Sequence, residues 1–164
     1  MTYKVLSSLT ANNVNSADIL KVKTDLLIIG VNKKTSSASE LKDLKSSSNS
    51  MIGESMNEIN NGTRKSIFLP APAKVGAKNI LLIKEPEVDA ASFLVIRHFE
   101  EIMGMIKSSK SKDFAFLMSS ATPKKVDLNW MAEVAARTFE AAAYTFNATK
   151  NKTAKPVTVK KGAM

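Results

Sequence analysis

Residues 23–31 read KTDLLIIGV, and the reading of this stretch decides the fold. Leu26 to Ile29 run apolar without a break, and Gly30 and Val31 close the run. A run so short, with no polar alternation, is the pattern of a strand covered on both faces; a helix with the same burial needs more residues. Two later stretches share the pattern, NILLIK at 79–84 and DFAFLM at 113–118. The segment SIFLP at 66–70 precedes the first of them, and Pro72 and Gly76 lie between as turn formers, which predicts a hairpin.

Outward from these strands the periodicity becomes helical. From Ala90 to about Ser109, Val95, Phe99, Ile102 and Ile106 fall on one face, and Arg97 and Glu101 sit at i,i+4 spacing on another. Asp89 is placed to cap this helix. A second long helix, capped by Asp127 or Asn129, carries Met131, Ala135, Phe139, Ala142 and Phe146 on its inner face. Residues 51–59 give two further helical turns with Ile52, Met56 and Ile59 inward, stopped by Asn60-Asn61-Gly62. Residues 32–50 are mostly Lys, Ser, Asn and Thr and read as a loop or a poorly formed helix; residues 3–9 alternate weakly and read as a first strand. Strands alternating with long amphipathic helices predict a layered α/β domain with an at least partly parallel sheet.

Composition bounds the chemistry. The 164 residues suit one domain, and they include no cysteine, so there is no disulfide framework and no thiolate nucleophile or ligand. No stretch approaches the roughly 20 apolar residues that span a bilayer, and the N-terminal residues lack a signal-peptide core, so a soluble, cytoplasmic protein is expected. The lone histidine, His98, stands beside Phe99 on the long helix and reads as a packed residue. No metal-ligand spacing occurs, and the six glycines are too dispersed for a phosphate cradle. Adjacent Glu100 and Glu101 point about 100° apart on a helix and read as solvated charges; Glu85 and Glu87 flank Pro86. No catalytic residue is expected in this chain.

The net charge is +9, and 21 of the 24 basic residues are lysines. Residues 97–164 carry 12 basic and 6 acidic groups, against 12 and 9 in residues 1–96. The surplus culminates in TKNKTAKPVTVKK at 149–161, where no acid interrupts the lysines. Lys150, Lys152, Lys155, Lys160 and Lys161 are therefore the candidate phosphate contacts if the chain binds nucleic acid.

Taken together, KTDLLIIGV, KNILLIKE, DAASFLVIRHF and EAAAYTFNATKNK, in this order and spacing, resemble the N-terminal domain of the leucyl aminopeptidase (cytosol aminopeptidase) family. Asp25 and Gly30 match the family's early strand, and Tyr144, Phe146 and Lys150 match the end of its alanine-rich helix. The family's glycine-lysine ending after the hairpin strand is replaced here by Lys84-Glu85-Pro86-Glu87. The resemblance implies a macro-domain-like mixed sheet flanked by helices, a single non-catalytic domain over residues 1–146. Residues 147–164 would then be a basic connector toward a C-terminal metallopeptidase domain. That second domain would bind two divalent ions, of zinc or manganese type, and remove N-terminal residues from peptides. This domain would serve assembly, substrate access or regulation, in a full-length homo-oligomer that is a hexamer in the family, with no membrane partner. DNA binding through the lysine strap is the alternative, and a free-standing metabolite-binding domain ranks behind both. Likeness to ADP-ribose-binding macro domains transfers no activity, because their glycine-rich phosphate loops are missing.

Overall fold

The computed structural model describes residues 9–10, 19–33, 41–48, 50–86, 92–117, 127–143 and 161–163. In chain order these form β1 (Leu9–Thr10), β2 (Leu26–Val31), α1 (Lys42–Ser47), α2 (Met51–Asn60), β3 (Ser66–Pro70), β4 (Asn79–Lys84), α3 (Ser92–Ser109), β5 (Asp113–Leu117), α4 (Leu128–Ala143) and β6 (Lys161–Ala163). The strands make one sheet in the order β1-β6-β5-β2-β4-β3. Among the described strands only β3 runs antiparallel to its neighbour, with Phe68 opposite Leu81, so the expected hairpin forms on an otherwise parallel sheet.

All six residues of β2 are buried, as its unbroken apolar run requires. Side-chain alternation then splits the core in two. Leu27, Ile29 and Val31 of β2, with Ile80 and Leu82 of β4, pack under α1 and α2 against Leu44, Ile52, Met56 and Ile59. Leu26 and Ile28, with Leu81, Ile83, Phe114 and Phe116, pack under α3 and α4. On that face Phe99 stands edge-on to Phe116 and Phe139, with ring centroids 5.9 and 5.7 Å apart. Each fully covered leucine, isoleucine or phenylalanine contributes about 1.5–3 kcal/mol.

The helix faces follow the sequence. Val95, Phe99, Ile102 and Ile106 are buried, and Arg97 Nε lies 3.7 Å from Glu101 on the exposed side of α3. Asp127 rather than Asn129 caps α4, its Oδ1 accepting from Asn129 N at 2.9 Å. Gly62 ends α2 with φ +78°; its N–H donates to Ile59 O and that of Thr63 to Glu58 O, the paired bonds of a left-handed helix stop. Within the polar stretch 32–50, α1 forms because Leu41 and Leu44 reach the core, each only 1% exposed. The first described strand is Leu9–Thr10; residues 1–8, Asp89 and the helix end at Phe146 lie outside the described residues.

The segment expected to lead out of the domain contributes backbone to the sheet at its far end. β6 lies between β1 and β5, parallel to both, with Lys161 opposite Asp113 and Ala163 opposite Ala115. Unpaired strand backbone is costly to leave dry, and β6 supplies partners to β5 and β1 together.

Candidate functional site

Open α/β sheets bind ligands at the C-terminal strand ends, where neighbouring connections depart to opposite faces. Here β2 leads to α1 and α2 on one face, and its parallel neighbour β4 leads to α3 on the other. At this switch point the chain places Gly30, Asn32 and Glu85. Glu85 N donates to Val31 O at 3.0 Å, which continues the β2–β4 ladder one step and turns the Glu85 side chain across β2. The side chain lies on Gly30: a Cβ there would meet Glu85 Oε1 at 2.1 Å and Cγ at 2.6 Å. Asn32 Nδ2 donates to Glu85 Oε2 at 2.5 Å. Burial pushes the Glu85 carboxyl above the ordinary glutamate range, and the Asn32 bond opposes that shift. The missing Cβ of Gly30 therefore leaves room for the Glu85 carboxyl.

His98 is 8% exposed on α3, its ring 5.7 Å from that of Phe99. Burial lowers its pKa to about 4, against the opposing charge of Glu101, so the ring is neutral at physiological pH. Among the described residues no three His, Cys, Asp or Glu side chains gather closely enough to hold a metal ion.

At the opposite end of the sheet, the N-terminal ends of β2, β4 and β5 are tied by polar bonds. Asp113 Oδ1 accepts from Thr24 Oγ1 at 2.8 Å and from Asp25 N at 2.6 Å. Asp25 accepts from Lys78 Nζ at 2.5 Å and from Lys112 N at 2.9 Å. The Lys78 hydrogen bond, then that of Lys112, holds the Asp25 carboxyl below the usual aspartate range. These bonds tie the starts of the three strands together and engage the carboxylates of both Asp25 and Asp113.

Of the lysines singled out in the sequence, Lys150, Lys152, Lys155 and Lys160 lie outside the described residues, and the Lys161 backbone is in β6. The sequence did not reveal the Gly30–Asn32–Glu85 cluster. Glu85 read there as half of a carboxylate pair around Pro86. The available signal was a glycine inside a fully buried strand, which marks close approach by another group.

The comparisons bear on the whole fold. The tomato leucine aminopeptidase mutant K354E superposes with a TM-score of 0.68 at 16% identity, over 99% of this chain and 33% of that one. The macrodomain of Mycobacterium tuberculosis DarG gives 0.66 at 11% identity, over 96% and 97% of the two chains. The Trypanosoma brucei macrodomain in complex with ADP-ribose gives 0.67 at 9% identity, over 96% and 62%. At these identities the likeness establishes the macrodomain-like fold, and the chain spans a third of the tomato enzyme's length. No curated protein matches the sequence significantly. Residues 28–153 match the N-terminal domain of the cytosol aminopeptidase family. That match takes in most of the chain, from the buried β2 run to the lysines beyond α4, and the chain belongs to the cytosol aminopeptidase family.

Proposed function

We propose that this domain is the non-catalytic N-terminal part of a cytoplasmic metal-dependent aminopeptidase that removes residues from peptide N-termini. In this reading a following domain holds two divalent ions, which activate water there, and the present domain serves assembly, substrate access or regulation. The observation that carries the non-catalytic role is the strand-end switch point. The place where this fold would take a ligand is filled by the chain's own Glu85, bonded to Asn32 and laid on Gly30. A site closed by its own side chain suits a scaffold better than a reaction centre.

The test starts with the size of the gene product in source cells, by immunoblot with an antibody raised to this domain. A band far above 17.8 kDa, followed by metal-dependent release of N-terminal residues by that protein, is the expected result. A band at the mass of the isolated chain, or a longer protein without such activity, overturns the reading.

A further inference from the structure

The outward side of α3 changes character along its length. Phe93, Leu94 and Ile96, all within its first turn and a half, are 65%, 40% and 41% exposed. Residues three and four apart share a helix face, and the positions that continue these faces along α3 are polar or small. Arg97, Glu100 and Gly104 follow Phe93 and Ile96, and Arg97 and Glu101 follow Leu94, all of them exposed. The buried face, by contrast, is served throughout by Val95, Phe99, Ile102 and Ile106. Among the described residues the other exposed large apolar side chains are Met51 on α2 and Phe68 on β3. The apolar surface of α3 is therefore a local patch at one helix end, where the core makes no use of it.

Topology fixes which end this is. α3 returns the chain from the end of β4 to the start of β5, and its 18 residues span about 27 Å. β4 and β5 both run parallel to β2, so the first turns of α3 lie at the C-terminal strand ends and Ser109 at the N-terminal ends. β6 is parallel to β5, with Lys161 opposite Asp113 and Ala163 opposite Ala115, so β6 points toward the patch end of the sheet. β5 and β2 lie between β6 and β4, which separates them by about 14 Å at ordinary strand spacing.

We infer that Phe93, Leu94 and Ile96 form the seat on which the next domain of the same polypeptide docks. This rests on the reading that a catalytic domain follows, and it adds where the two domains touch. The direction of the chain and the size of the patch select that occupant. The chain covers 33% of the tomato leucine aminopeptidase mutant, so a protein of that length has most of its residues to place after β6. A step of about 14 Å needs only about five extended residues. Three partly exposed side chains fall well short of the roughly 800 Å² per partner that a standard free complex buries, so the patch is too small to hold a second copy alone. A tethered domain needs less, because the linker holds it at an effective concentration in the millimolar range. Burying exposed apolar side chains is the ordinary driving force for such contacts.

The test labels side chains with hydroxyl radicals in the full-length gene product and in the 164-residue chain. Phe68, 50% exposed on β3, is the internal reference. Phe93, Leu94 and Ile96 are expected to be labelled at least about fivefold less in the full-length protein, as residues of a packed interface are, with Phe68 changed less than about twofold. F93S/I96S is expected to shift the melting temperature of the 164-residue chain by under about 2 °C, since both side chains are already exposed. In the full-length protein the same variant is expected to restore labelling of Leu94. Equal labelling of the patch in the two wild-type proteins overturns the proposal and leaves the aminopeptidase reading standing. Protection in the 164-residue chain that grows with its concentration overturns it in favour of a second copy. Protection that is lost when a full-length oligomer is diluted to monomers overturns it in favour of a neighbouring subunit. A gene product of 17.8 kDa overturns the aminopeptidase reading and this proposal together.

Discussion

Asp113 accepts the backbone N–H of Asp25 at 2.6 Å, across a sequence separation of 88 residues. The bond joins Asp113, which opens β5, to the residue just before β2, and the same Oδ1 takes the Thr24 hydroxyl at 2.8 Å. One carboxylate oxygen thereby fixes the register of two central strands. Asp113→Ala removes the acceptor of Asp25 N and leaves the Thr24 hydroxyl only the longer contact to Leu26 O at 3.4 Å, and is expected to cost about 1–3 kcal/mol, read as a lower urea midpoint with unchanged slope. Asp113→Asn, which keeps an acceptor oxygen, is expected to recover much of that loss. Equal midpoints for wild type and Asp113→Ala would remove the register role.

His98 makes stability depend on pH in a defined direction. Its folded pKa is depressed to about 4 by burial, below the ordinary 6.5, with Glu101 opposing the shift. The unfolded chain therefore binds a proton that the folded chain refuses. This contribution is whole above pH 6.5 and is lost as pH falls from there toward about 4. The shift corresponds to at most about 3 kcal/mol. Urea midpoints measured down this window are expected to fall more steeply for wild type than for His98→Leu. Parallel curves would show that the ring is not held neutral by the fold.

Gly30 and Glu85 are coupled through space. Gly30→Ala puts a methyl where Glu85 Oε1 and Cγ lie, and is expected to destabilise by about 1–3 kcal/mol as overpacking does. The same substitution in a Glu85→Ala background is expected to cost under half as much, since the obstructing side chain is gone. A double-mutant cycle in guanidinium reads the difference. Glu85→Gln is expected to match or exceed wild-type stability at neutral pH, because an amide is cheaper to bury than the carboxylate whose pKa burial has raised. Additive Gly30 and Glu85 effects would refute the contact.

β6 ties the two ends of the described chain together. Among the described residues β1 has β6 as its strand partner, and β6 also covers the edge of β5. Deleting residues 161–164 is expected to lower the melting temperature and speed amide exchange in β5 at Phe114 and Ala115. Unchanged exchange there would mean that β6 is not a working part of the sheet.

The sequence by itself determined the layers. The unbroken apolar runs at β2, β4 and β5 encode strands covered on both faces, and the spacing of Val95, Phe99, Ile102 and Ile106 encodes the buried face of α3. Gly62 announced the end of α2, and ordered blocks such as KTDLLIIGV and DAASFLVIRHF carried the family resemblance. These signals are local: burial of a repeating face, or the backbone freedom of one residue, is written within a few positions. Tertiary structure decided what depends on distant pairings. Glu85 lies on Gly30 only because β2 and β4 are adjacent and in register. Lys161–Ala163 enters the sheet only because β1 and β5 leave a gap of one strand. The lysines before β2, β4 and β5 are dispersed in sequence, and they share one end because those strands run parallel. Hydrophobic periodicity specifies which face of an element is covered, whereas strand order and register arise from contacts between elements far apart in the chain.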